Sequence, residues 1–180
     1  MLSKTMAVTN NLFDGQFISV GELEPMSIPV VPGLYCIKLK KGASLPAKYG
    51  MVRDDGIIYI GKGDSLRERL WEEELNHKRP ATFFRGIGAV LDYLPPKGSL
   101  IGKSNQNNYK FSPEDTEAIK EWMRRSLQVK WVALEPAKIL EIEKSLIFKY
   151  QPLMNTTHNP NPSTELAAAR KRCREYAKSK

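Results

Sequence analysis

The stretch GIIYIGKGDSLRERL, residues 56–70, constrains the fold of this chain more than any other. Ile57, Ile58, Tyr59 and Ile60 are β-branched or aromatic, as a buried strand requires. Gly61, Lys62 and Gly63 punctuate that run, and Asp64 is placed to cap a helix continuing through Trp71 and fading near Asn76 and His77. A strand therefore delivers Tyr59 and Lys62 to its end, with Arg67 and Arg69 on the helix that follows. A Gly-Lys-Gly turn at a helix start suggests a bound phosphate, because free N–H groups and the helix dipole favour anions there. The spacing of a P-loop is absent.

Other elements can be read around it. Gly33–Leu39 forms a strand, and residues 40–55 form a loop carrying Lys40, Lys41, Lys48 and Arg53. Residues 81–111 are irregular, with Phe83 and Phe84 best suited to a short buried segment. Ser112 caps a helix opening on Pro113 and running to about Arg125. Residues 127–134 make a third strand. A helix from Pro136 places Ile139, Ile142, Leu146 and Tyr150 on one face and stops at Pro152. After a polar linker, residues 164–178 make a last helix. The domains are then a lead-in at 1–31, a core domain at 32–156 with an insertion at about 78–126, and a linker with a basic helix at 157–180. The class is α+β, a small three-stranded antiparallel sheet flanked by helices, with an inserted irregular or helical region and a C-terminal basic helix.

The net charge of +8 points to an acidic partner, nucleic acid before an anionic membrane surface. Cys36 and Cys173 form neither a metal-ligand spacing nor a disulfide framework, which fits a reducing, cytoplasmic setting. No apolar run approaches a membrane span, and residues 1–13 lack the pattern of a signal peptide.

Two strands each carry a tyrosine in a glycine-flanked triplet, Gly33-Leu34-Tyr35 and Tyr59-Ile60-Gly61. An arginine-bearing helix follows the second, Glu143 lies on a later helix, and Asn155 sits just past its end. This order resembles the GIY-YIG endonuclease family, with Leu34 replacing the isoleucine of the first triplet. The resemblance casts Tyr35, Tyr59, Arg69, Glu143 and Asn155 as catalytic residues, Glu143 also as ligand of a magnesium or manganese ion, and double-stranded DNA as substrate; Lys62 joins the catalytic candidates as a nearby cation. The loop between the tyrosines is longer than in compact members, closer to restriction-type enzymes. A homodimer on DNA follows where one small site must cut both strands of a symmetric duplex. A non-catalytic nucleic-acid-binding module of the same fold is the rival reading.

The residue types suit phosphodiester hydrolysis. A metal at Glu143 would act as Lewis acid, and Arg69 offers a planar fork to phosphoryl oxygens. Tyr35 can act as general base only if cations lower its pKa from about 10, with Lys62, Arg69 and the metal as candidates. Asn155 is better suited to holding the site together. Glu141 competes with Glu143 and Arg67 with Arg69. His77 reads as a helix C-cap or surface residue and His158 as a loop residue. Lys40, Lys41, Lys48, Arg67, Arg170, Lys171, Arg172 and Arg174 are candidate DNA contacts. The last four belong to a helix whose apolar face, Leu166, Ala169 and Cys173, looks too poor to dock.

Overall fold

The computed structural model describes residues 11–49 and 54–180. Arg53 and the first ten residues, part of the segment read above for a signal peptide, lie outside them. The sheet has four antiparallel strands rather than three. They are β1 (Ile18–Ser19), β2 (Gly33–Leu39), β3 (Ile57–Gly63) and β4 (Leu127–Ala133), in the order β1-β4-β2-β3. The added strand pairs Ile18 with Val129 and Ser19 with Gln128. Two residues are too few to show a period of two, so the lead-in carries no readable strand signal.

Among the described residues, five longer helices flank the sheet: α1 (Arg67–Leu75), α2 (Thr82–Val90), α3 (Pro113–Ser126), α4 (Pro136–Tyr150) and α5 (Thr164–Lys178). Helices pack against both faces of the sheet, and β2 is accordingly buried on both. Leu34, Cys36 and Ile60 meet Ile139, Ile142 and Leu146 of α4 on one face. Tyr35, Ile37, Ile58 and Tyr59 belong to the larger core on the other, with Leu70, Phe83, Ile87, Ile119 and Leu166. Ile58 and Tyr59 join the same core because the β2–β3 register slips there. Ile37 faces Tyr59 while Lys38 faces Ile57, so Ile58 is the extra residue of a bulge.

β3 lies at the edge of the sheet, and the segment after α4 covers it. Met154 N–H donates to the Ile58 carbonyl at 2.9 Å. The Asn155 side chain accepts from Ile60 N–H at 2.9 Å and donates to Ile60 C=O at 2.8 Å. The exposed edge is thereby paired without another strand.

Four expectations need correction. β3 runs on to Gly63, with Gly61 opposite Tyr35 and Gly63 opposite Gly33, so Gly61-Lys62-Gly63 is strand and not a phosphate-cradling turn. Ser65 rather than Asp64 meets the start of α1, where Glu68 N–H reaches Ser65 Oγ at 3.4 Å. The basic tail is also docked. Leu166, Ala169, Cys173 and Ala177 are buried on α5, and Ala177 C=O accepts from Leu100 N–H at 2.9 Å. The small side chains that made this face look poor permit close approach to α2. A Cβ on Gly86 would lie 2.6 Å from the Arg170 guanidinium. Residues 81–111, read as irregular, contain α2 with both phenylalanines buried.

Candidate active site

The two tyrosines come together because β2 and β3 are neighbours. The Tyr35 and Tyr59 rings lie 6.1 Å apart, and both side chains are buried. A side chain at Gly61 would collide with the Tyr35 phenol, and one at Gly33 with the Val132 carbonyl. The glycines of both triplets are thus required by the space around them.

α1 is wound with π-type turns, and Asn76 N–H bonds back to Trp71 C=O at 3.1 Å. In such winding, residues four and five apart flank a common position. Glu73 and Glu74 therefore both reach Arg69, whose two terminal nitrogens lie 2.5 Å from Glu73 Oε2 and 2.8 Å from Glu74 Oε1. Glu74 has no solvent exposure. Its other oxygen accepts from Phe83 N–H at 3.0 Å, satisfying the start of α2, and the Tyr35 hydroxyl lies 3.4 Å from Oε1. Burial raises the Glu74 pKa, opposed by Arg69 and by the N–H groups of Phe83 and Phe84.

A cleft of about 410 Å³ opens above this network, lined by both tyrosines, Lys62, Arg69 and Glu143 among others. Glu141 is exposed and does not line it, which separates it from Glu143. Arg67 turns away: its Nε donates to Ile28 C=O at 2.8 Å. Asn155 grips β3 through its two bonds to Ile60 and thereby fixes the neighbouring Tyr59. The sequence reading missed Glu73, Glu74 and Arg79. Arg79 reaches Glu73 at 2.7 Å and lines the cleft. The repeated acids of Glu72-Glu73-Glu74 were the available signal, but only π winding turns two of them onto Arg69.

The condition set for Tyr35 as a base is not met by the cations of this chain. Burial drives its pKa well above 10, with the Glu74 and Tyr59 charges pushing the same way and Arg69 opposing. Tyr59 is raised too, chiefly by burial. With the cations of this chain alone both phenols favour the protonated form, and the Tyr35 hydroxyl faces Glu74. The Glu143 carboxyl is half-buried and its pKa is raised by that burial, against the attraction of Lys62, Arg69 and Lys144. Among the described residues no hydrogen bond or ion pair holds it, and no group of three or more metal-binding side chains occurs.

The remaining basic candidates are engaged at separate places. Lys40 Nζ donates to Arg124 C=O at 2.9 Å at the end of α3. Lys48 and Arg172 share Asp92 at 2.7 and 2.6 Å. Lys171 lies 3.6 Å from Glu175, while Lys41 is exposed. Arg170 is turned inward, with Nη2 near the Thr82 and Met154 carbonyls at 3.4 and 3.3 Å. Arg174 lines a second pocket beside it. His77 is buried rather than on the surface, stacked on Phe84 at 4.3 Å, with a left-handed backbone at the end of α1. His158 is exposed in the loop after Asn155.

The family model of the GIY-YIG catalytic domain matches residues 33–175, from β2 into α5. This chain belongs to the GIY-YIG catalytic domain family. The match includes α5 and extends past residue 156, where the sequence reading ended the core domain. Membership makes the chain a nuclease in the general sense of that family. No curated protein and no solved structure matches it. Among the described residues, no helix is long and apolar enough to cross a membrane.

Proposed function

We propose that this GIY-YIG protein is a DNA endonuclease dependent on magnesium or manganese held at Glu143. The observation that carries the reading is the charge of the cleft. Lys62, Arg69 and Arg79 face Asp64, Glu68, Glu73 and Glu143 along its walls, with Glu74 buried behind Arg69. Such a lining does not attract a phosphodiester unaided, so a divalent cation is needed to offset the carboxylates. The donor set suits the group: Glu143 is a half-buried oxygen ligand with no internal partner, and magnesium is commonly held by one or two carboxylates plus substrate phosphate. When bound, the cation supplies Lewis-acid polarisation and charge neutralisation at the scissile phosphate.

The chain's own residues supply the rest. Arg69, clamped by two carboxylates, presents a guanidinium that needs no reorientation as negative charge develops. Lys62, exposed at the end of β3, adds a mobile cation at the cleft mouth. Tyr35 and Tyr59, kept protonated by burial, donate hydrogen bonds and orient the attacking water or a phosphoryl oxygen. Supercoiled plasmid incubated with the protein and magnesium should become nicked or linear, and EDTA should stop the reaction. No conversion with either metal over a panel of DNA sequences would overturn the proposal.

A further inference from the structure

The second pocket lies between α2, α5 and the loop before α3. It encloses about 220 Å³ and is lined by Thr82, Arg85, Asn107, Tyr109, Arg170 and Arg174. Arg85 lies one turn after Thr82 on α2, and Arg174 one turn after Arg170 on α5, so the docking of these helices brings three guanidinium groups together. No carboxylate lines the pocket, and no ion pair reaches Arg85, Arg170 or Arg174 among the described residues. Arg85 Nη1 and Arg170 Nε are buried without a hydrogen-bond partner. Guanidinium nitrogens shut off from water without an acceptor or counter-charge are unfavourable, and a bound anion would relieve them. The N-terminus of α2 cannot be the attraction, because Glu74 already accepts from its Phe83 N–H. The guanidinium groups themselves define the site.

We infer that this arginine pocket binds a phosphoryl group, as a subsite separate from the catalytic cleft. Arginine offers planar donor pairs matched to phosphate oxygens, and the hydroxyls of Thr82 and Tyr109 and the amide of Asn107 can complete a shell. A surface depression leads from Tyr59, Lys62 and Glu143 to Thr82, which also lines the arginine pocket. A polynucleotide backbone lying in the cleft can therefore place a neighbouring phosphate on Arg85 and Arg174. That source rests on the nuclease reading above; a free phosphate or a phosphorylated small molecule would use the same chemistry.

The test has two arms, neither of which reads cleavage. In the first, inorganic phosphate should raise the melting temperature above that in chloride of equal ionic strength, and Arg174→Gln should abolish the difference. In the second, duplex DNA binding to the Glu143→Gln protein is measured against salt concentration. Adding Arg174→Gln should lower the log–log slope by about one, and Arg174→Lys should largely restore it. A change in both arms assigns the site to the backbone, and a change in the first alone assigns it to a free phosphate. No change in either, for folded Arg174→Gln and Arg85→Gln proteins alike, would overturn the inference. Failure of the nuclease reading would instead appear as absence of cleavage with the phosphate response intact.

Discussion

At the scale of single residues, the site is fixed by close approach. Gly61 has no room for a side chain because the Tyr35 phenol lies over it. Gly61→Ala should destabilise the protein by about 1–3 kcal/mol in chemical denaturation, the usual penalty of overpacking. Arg69 is held by two carboxylates through different nitrogens. Arg69→Lys keeps the charge but cannot span both, so kcat should fall far more than DNA affinity. A silent Arg69→Lys would remove the clamp from the account. His77 gives a pH signature. Burial beside Phe84, aided by the charges of Arg85, Lys110 and Lys120, lowers its pKa from 6.5 to about 4. The unfolded chain takes up a proton there before the native one, so stability is present above pH 6.5 and is lost as pH falls towards 4. His77→Phe should flatten that limb of a melting-temperature profile, and an unchanged limb would assign the acid sensitivity elsewhere. Tyr35, Tyr59, Glu143 and Asn155 were legible because their order and spacing carry the pattern. Glu74 was not, because a glutamate in a run of three looks solvated until its helix winding is known.

At the scale of elements, α5 departs furthest from its sequence reading. Its start at Thr164 agrees with expectation, and Ser163 caps it, its Oγ accepting from Leu166 N–H at 3.1 Å. Its destination was hidden, because alanine and cysteine bury little area each but allow helices to approach closely. Leu166, fully buried, anchors it. Leu166→Ala should cost about 2–5 kcal/mol, the range for deleting a buried leucine side chain. Deleting residues 164–180 should then lower the melting temperature sharply instead of merely weakening DNA binding. A truncated protein as stable as the full chain would contradict the docking. The bounds of β2, α3 and α4 followed closely from strand-forming runs, caps and prolines, while β1 and the π winding of α1 left no such signal.

At the scale of the whole molecule, the arginines without a counter-charge lie apart from the cleft beside the tyrosines. The chain carries a net charge of +8, yet the cleft beside the tyrosines is rich in carboxylates, and the uncompensated arginines gather between α2 and α5. The basic composition pointed to an acidic partner without saying where it would be met. On the proposed reading, a cation at Glu143 would offset the carboxylates of the cleft, which makes that residue the centre of the account. The most direct measurement is single-turnover cleavage of DNA by wild-type and Glu143→Gln proteins across a magnesium titration, with DNA binding followed in parallel. The account predicts that the variant folds and binds DNA, while its cleavage rate falls at least a hundredfold (about 2.7 kcal/mol of barrier) at every magnesium concentration. A variant that cleaves at the wild-type rate with the same magnesium dependence would contradict it.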